Sequence, residues 1–363
     1  MKPFGIVIAI LIVSFFYAGC GNNQTLLPGV GSLTPDYRGP GQVWNVFVND
    51  SAQRIELTHT VNLSTGLDYE GISTFTTYSG TGFTQMTVNT AGPDLSGPGV
   101  GAVTSSVFIP GYSFFLAPYS AGDTLAMIPP VCAAADMTVN WIKLRQPSSW
   151  TIGAGHGNSF GTMSFPVATN VASLVNSFNL DTTGSNDMTT DIGASTLSTS
   201  AGCGVGTYFD GTTQIFTSSN GIIVNPTNTN EVYFGITAAA APTVSSLAGN
   251  YAGYLYQANG PTNQAVSLTL PSTSGTSVTV NIVTDVTTGT VASSGTIPTM
   301  KLGNVTLSGT GTSGFIGGTI NFGASDQPLV CLAQTAAGGS TQTMIACNGF
   351  DGTGFVSLLL TSY

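Results

Sequence analysis

The sequence predicts an all-β protein of two antiparallel β-barrel or β-sandwich domains, and three observations predict it. Charged residues make up only 6% of the 363 residues, hydrophobic ones 42%, and Thr, Ser, Gly and Asn dominate the remainder. Such a chain has enough apolar content for a core and lacks the high charge that marks disorder. Short runs alternate apolar and polar residues at the period of a half-buried strand. Between them stand Gly, Pro, Asn and Asp clusters, drawn from 47 glycines and 18 prolines, which supply turns.

The chain opens with Met1-Lys2-Pro3, runs apolar from Phe4 to Phe16, and then reads Tyr17-Ala18-Gly19-Cys20. Charged, greasy and small residues in that order make an export signal. The apolar run falls short of the roughly 20 residues that span a bilayer. Residues 1–19 are therefore read as a signal peptide and set aside from the fold.

Tyr17-Ala18-Gly19-Cys20 resembles the lipobox of bacterial lipoproteins, matching three of its four positions, with Tyr17 where that family prefers Leu. The resemblance implies cleavage before Cys20 and acylation of that cysteine. The membrane then becomes a partner through the lipid anchor on Cys20, at about 0.8 kcal/mol per buried methylene. Gly21 follows the cysteine where an Asp would favour inner-membrane retention, so the resemblance implies the bacterial outer membrane, on its surface or its periplasmic face. Residues 20–35, rich in Gly, Asn, Pro and Ser, read as a flexible lipidated tether.

An N-terminal β-rich domain is expected over residues 36–237. Alternation predicts strands at Val43 to Val48, Ile55 to Leu63, Gly71 to Tyr78, Phe83 to Val88, Ala102 to Ile109, Thr138 to Leu144, Gln214 to Thr217 and Glu231 to Thr237. One short helix is predicted from Thr169 to Phe178, where Val171, Leu174, Val175 and Phe178 fall at i, i+3, i+4 and i+7 after Pro166. Lys143 and Arg145 alternate with Ile142 and Leu144 and read as the solvent face of one strand. Residues 238–247 begin Ala-Ala-Ala-Ala-Pro and read as a linker.

A second domain, expected over residues 248–363, carries nine short strands spaced about a dozen residues apart, among them Ser277 to Val283 and Asn304 to Ser308, which suits a small barrel or sandwich. Its opening, Leu247-Ala248-Gly249-Asn250-Tyr251-Ala252-Gly253, looks like the Gly-x-aromatic first strand of lipocalin- and avidin-like β-barrels, with Tyr251 where such barrels place Trp. The resemblance is architectural and brings no binding residue with it.

Four cysteines remain after Cys20, an even number that suits two disulfides in an oxidising compartment. Two apolar runs flank Thr335-Ala336-Ala337-Gly338-Gly339-Ser340, and a hairpin centred on Gly339 sets Cys331 opposite Cys347. Cys132 with Cys203 follows by elimination. No CxxC spacing occurs and only His59 and His156 are present, so neither zinc nor any cofactor is expected.

Net charge excludes one class of partner. Without Lys2, five basic residues stand against sixteen acidic ones, a balance of −11, and nucleic acid requires clustered Lys and Arg. Two strings carry chemistry on paper. Gly157-Asn158-Ser159-Phe160-Gly161 matches GxSxG with His156 just before it, the pattern of a hydrolase nucleophile when a strand leads in and a helix leads out. Asp181, Asp187 and Asp191 lie in an oxygen-rich run that is a weak calcium candidate without EF-hand spacing. Trp150 and the pair Tyr254 and Tyr256 are candidates for stacking on a sugar, or for core packing in the tyrosines' case.

The expected function is therefore a non-enzymatic, membrane-anchored envelope or surface lipoprotein with an adhesin-like recognition role, its loops contacting a glycan or protein. The alternatives are a barrel-type carrier of a small apolar ligand, which needs an open cavity, and a serine hydrolase using Ser159.

Overall fold

The computed structural model describes residues 43–49, 54–62, 67–77, 80–91, 103–108, 115–116, 131–145, 159–180, 188–190, 196–203, 207–226, 231–258, 264–286, 288–335 and 342–363. The fold is all-β; among the described residues the one helical element is a 3-10 turn at Val244–Leu247, within the expected linker. Three antiparallel sheets follow one another along the chain.

The first sheet is a six-stranded meander in chain order: β1 (Val43–Asn49), β2 (Arg54–Asn62), β3 (Leu67–Thr77), β4 (Thr84–Ala91), β5 (Val103–Phe108) and β6 (Phe115–Leu116). The second has nine strands: β7 (Met137–Arg145), β8 (Phe160–Phe165), β9 (Val171–Leu180), β10 (Met188–Thr190), β11 (Thr196–Ser198), β12 (Thr207–Phe209), β13 (Thr213–Thr217), β14 (Gly221–Pro226) and β15 (Val232–Thr237). Its order is β10-β9-β8-β7-β15-β14-β13-β12, with β11 also on β9, so β7 lies at the centre between β8 and β15.

The third sheet has ten strands: β16 (Gly249–Gln257), β17 (Gln264–Leu270), β18 (Val278–Thr279), β19 (Asn281–Asp285), β20 (Thr290–Val291), β21 (Thr299–Val305), β22 (Ile316–Asn321), β23 (Asp326–Thr335), β24 (Thr343–Phe350) and β25 (Phe355–Ser362). Its order, β18-β21-β22-β23-β24-β25-β16-β17-β19-β20, explains its curvature. The sequence predicts one strand from Ser277 to Val283. That segment instead divides at Val280, pairing with β21 through β18 on one side and with β17 through β19 on the other. One extended segment thus bridges both edges, and the sheet becomes a nearly closed barrel. β25 enters between β24 and β16, with Tyr251 opposite Ser362 and Leu255 opposite Leu358. The predicted strand at Asn304 to Ser308 lies earlier, as β21, because the chain turns away after Val305.

Alternation assigns each face a core. Tyr251, Leu255, Leu329, Cys331, Ile345, Cys347, Leu358 and Leu360 point inside the barrel and fill it. Tyr251 is the largest of them; its hydroxyl donates to the carbonyl of Leu247 at 2.8 Å, and burial pushes its pKa up to about 12. The intervening residues Ala252, Tyr254, Val330, Leu332, Met344 and Leu359 point outward, against Ile142, Leu144, Phe160, Phe178 and Phe234 of the nine-stranded sheet. The two sheets therefore share one core. Phe83, beside β4, joins it edge-on to Tyr254 at 6.1 Å.

The far face of the nine-stranded sheet, which curls as a half-barrel, holds a third cluster that includes Val139, Trp141, Phe165, Leu174, Tyr208 and Tyr233. β7 is consequently covered on both faces. This overturns the reading of Lys143 as a solvent-facing residue, since it is only 1% exposed.

The predicted helix at Thr169 to Phe178 is also overturned: the segment is β9. Ala172 and Leu174 face the half-barrel core, but Phe178 faces the shared core, although even spacing would put all three on one side. A bulge causes the switch. Between the pairs Val175 with Thr162 and Phe178 with Phe160, β9 spends Asn176 and Ser177 where β8 spends only Gly161. Asn176 has φ 50°, and its carbonyl sits where a Cβ on residue 161 would stand. The bulge shifts the apolar residues by one position and so imitates a helical period.

Candidate functional site

Buried polar side chains gather at the seam where the barrel meets β7. Asn348 on β24 is fully buried, and its Nδ2 donates to the carbonyls of Lys143 at 3.1 Å and Ser159 at 2.9 Å. Its cross-strand neighbour Ser357 donates to the carbonyl of Leu144 at 2.7 Å. Two barrel side chains thereby bond the backbone of the half-barrel, in a setting where an unpaired carbonyl is costly.

Lys143 leaves that seam toward the half-barrel core. Its Nζ lies 3.3 Å from Glu231 Oε1 and 5.3 Å from the centre of the Tyr233 ring, while the Tyr233 hydroxyl donates to Glu231 Oε2 at 2.9 Å. The geometry follows from register: Tyr233 is the direct β15 partner of Lys143. A buried ammonium is tolerated because a carboxylate and a π-face meet it.

Toward the start of β7 the seam opens into a cleft of about 220 Å³. Asn140 and Ile236 form one wall, Leu332 and Gln334 the other, and Ala239 and Pro242 of the connecting segment the floor. Asn140 is buried and donates from Nδ2 to the carbonyl of Ala239 at 3.0 Å. The connecting segment is held from both sides, Ala238 N–H to Thr138 and Ala241 N–H to Ser313. The Oε1 of Gln334 is buried and has no hydrogen-bond partner among the described residues.

The cysteines pair as the sequence predicts. Cys331 and Cys347 are direct partners in the β23–β24 register and are disulfide-bonded. Cys132 and Cys203 form the second disulfide, which ties residues 131–136 across the half-barrel. Val131 N–H donates to Thr217 at 2.8 Å, and the Ala133 N–H reaches the Tyr208 hydroxyl, whose pKa burial nonetheless raises.

Ser159 does not sit in a nucleophile elbow. Its side chain is fully buried, and the residue leads into β8 of an antiparallel sheet, with no helix after it. His156, Trp150, Cys20 and the calcium candidates Asp181, Asp187 and Asp191 lie outside the described residues. Tyr254 and Tyr256 are both buried, the first in the shared core and the second against Phe350 and Phe355. The inside of the barrel, where a carrier would hold its ligand, is occupied by side chains. Among the described residues, no group of three His, Cys, Asp or Glu could hold a metal ion.

Sequence reasoning missed Asn348, Glu231 and Gln334. None of the three had a readable signal. A repeated string was available, because Phe-Asp-Gly-Thr occurs at 209–212 and 350–353. Both copies close hairpins the same way: Oδ1 of Asp210 or Asp351 accepts from the Thr N–H, the Thr hydroxyl and the next N–H. No protein-family model, curated protein or solved structure matches the chain.

Proposed function

We propose that the chain is a lipid-anchored protein of the bacterial envelope, exported by residues 1–19, acylated on Cys20 and held at the outer membrane, where it serves as a non-enzymatic binding or recognition protein. The observation that carries this reading is the pairing of all four cysteines beyond Cys20 into two disulfides, the state expected of an oxidising compartment. The lipobox-like Tyr17-Ala18-Gly19-Cys20 at the end of an apolar run supports the anchor. Filled cores on a rigid β-scaffold leave the loops between strands to make contacts, with a glycan or protein surface as the ligand.

Metabolic labelling with an alkyne fatty acid tests the anchor. The wild type is expected to take up label and sediment with the outer membrane, and Cys20→Ser to lose the label and become soluble. An unlabelled wild type would refute it. Protease shaving of intact cells, with a periplasmic protein as control, then distinguishes a surface role from a periplasmic one.

A further inference from the structure

Residues 131–136 form a strap across the end of the half-barrel where β8, β13 and β15 finish and β7 begins. Val131 extends the ladder of β13 where β12 stops: Thr207, the first residue of β12, faces Phe216, and the next residue of β13, Thr217, bonds to Val131 instead. The bond is mutual, since the Val131 N–H reaches the Thr217 carbonyl at 2.8 Å and the Thr217 hydroxyl donates to the Val131 carbonyl at 2.6 Å. At the far end of the strap Asp136 Oδ1 accepts the Val167 N–H at 2.9 Å, just beyond β8. Between them Ala133 packs against the half-barrel cluster and offers its N–H to the Tyr208 hydroxyl. Burial contributes little more, because Val131, Cys132, Ala134, Ala135 and Asp136 are all exposed, the mark of a segment that opens locally. The segment that carries Cys203 is fixed independently: Asn170 accepts the Thr199 N–H and donates Nδ2 to the Ala201 carbonyl, and Asp210 accepts the Ser200 N–H.

From this arrangement we propose that Cys132–Cys203 is a redox clasp: a dithiol opens it, residues 131–136 lift away, and the end of the half-barrel is uncovered at Tyr208. Exposed disulfides are the ones that exchange readily, and Cys132 is the exposed partner. One thiolate of the dithiol attacks the Cys132 sulfur, which breaks the Sγ–Sγ bond, forms a mixed disulfide and releases the Cys203 thiolate. The second thiol then displaces Cys132. The dithiol is thereby oxidised to its disulfide, both cysteines are reduced to thiols, and the two protons of the dithiol end on them. Neither cysteine belongs to a strand, so the ladders of the half-barrel survive the opening. Cys331–Cys347, fully buried between β23 and β24, stays closed. In an oxidising compartment the clasp remains shut, and a dithiol is the signal that releases it. The switch goes beyond the recognition role proposed above and does not depend on the lipid anchor.

Amide hydrogen exchange on the full-length protein, before and after dithiothreitol, tests the clasp, with alkylation and peptide mass spectrometry to identify the reduced cysteines. Val131 and Ala133 are expected to exchange at least tenfold faster in the reduced protein, while the β13–β15 ladders keep their rates. A fluorescent dye that binds apolar surface should brighten on reduction, and reoxidation should restore both readings. The double variant Cys132→Ser with Cys203→Ser should show the open state without reductant and no response to it. Unchanged exchange at Val131 and Ala133 in the reduced protein would overturn the proposal, because the strap would then be held without its clasp. Loss of protection throughout β13–β15 would also overturn it, since the disulfide would then be a staple of the whole half-barrel. So would reduction of Cys331–Cys347 in step with Cys132–Cys203.

Discussion

Asn348 Nδ2 lies within hydrogen-bonding distance of two carbonyls at once, those of Lys143 and Ser159, which belong to a different sheet. One side chain from the barrel thus closes the backbone accounts of β7 and of the residue leading into β8. Asn348→Ala should remove both bonds, although the Ser159 carbonyl keeps the N–H of Lys143; the loss is about 1–3 kcal/mol. Asn348→Asp should be worse at neutral pH, because a carboxylate has no donor for either carbonyl and is itself buried. Urea unfolding midpoints of the two variants check the order; equal midpoints would contradict it.

The Lys143 and Glu231 pair predicts an asymmetry. Glu231 retains 18% side-chain exposure whereas Lys143 has 1%, so the two do not suffer equally when separated. Glu231→Ala leaves a buried ammonium without its carboxylate and should cost about 3–5 kcal/mol. Lys143→Met keeps an apolar side chain of similar length and leaves a carboxylate that still receives the Tyr233 hydroxyl, so its cost should be at least twofold smaller. Thermal melts of both single variants and the double decide this. The double variant should melt above Glu231→Ala alone.

The disulfides should differ in both access and worth. Cys132 is exposed and Cys203 half-buried, while Cys331 and Cys347 are fully buried. Under native conditions a mild phosphine should open Cys132–Cys203 first, and alkylation with peptide mass spectrometry should mark that pair alone. Cys132–Cys203 spans 71 residues and Cys331–Cys347 spans 16. On chain entropy alone, paired Cys→Ala changes should cost about 4 kcal/mol and about 3 kcal/mol respectively.

Acid should loosen the turn at Asp210. The Thr212 hydroxyl, and then the N–H groups of Thr212, Thr213 and Ser200, hold its carboxyl down at about 2, below its usual 3.8. A depressed folded-state pKa means that the stabilisation is complete above the unfolded value and is lost as pH falls through the folded one. Stability should therefore drop between about pH 4 and about pH 2, and Asp210→Asn should show a shallower drop there. Denaturant midpoints across that range measure the difference. Asp326 adds to the slope in the same direction, its carboxyl lowered first by Lys301 and then by Asn321.

These sites differ in how well the amino-acid order announces them. The Cys331 and Cys347 pairing was readable because a hairpin fixes partners by counting outward from its turn, and residue 339 is the midpoint. Most long strands were readable for a similar reason, since period-2 alternation survives wherever a strand is regular. β9 was not, because one extra residue at Asn176 moved Phe178 to the other face and made the spacing look helical. Lys143 deceived in the opposite way: its alternation with Ile142 and Leu144 was real, but both faces of β7 are covered. Asn348 and Gln334 depend on what another sheet places opposite them, and local sequence carries no trace of that.

The position of β25 sets a timetable. β16 is synthesised more than ninety residues before the strand that pairs with it at Leu255 and Leu358, and until that strand emerges the barrel has an open side and the shared core lacks Leu359. Closure across so long a loop is slow, so the barrel cannot close until the last strand has been made. If the chain is exported as proposed, a translocation pore that admits only extended polypeptide would meet this domain while its barrel is still open.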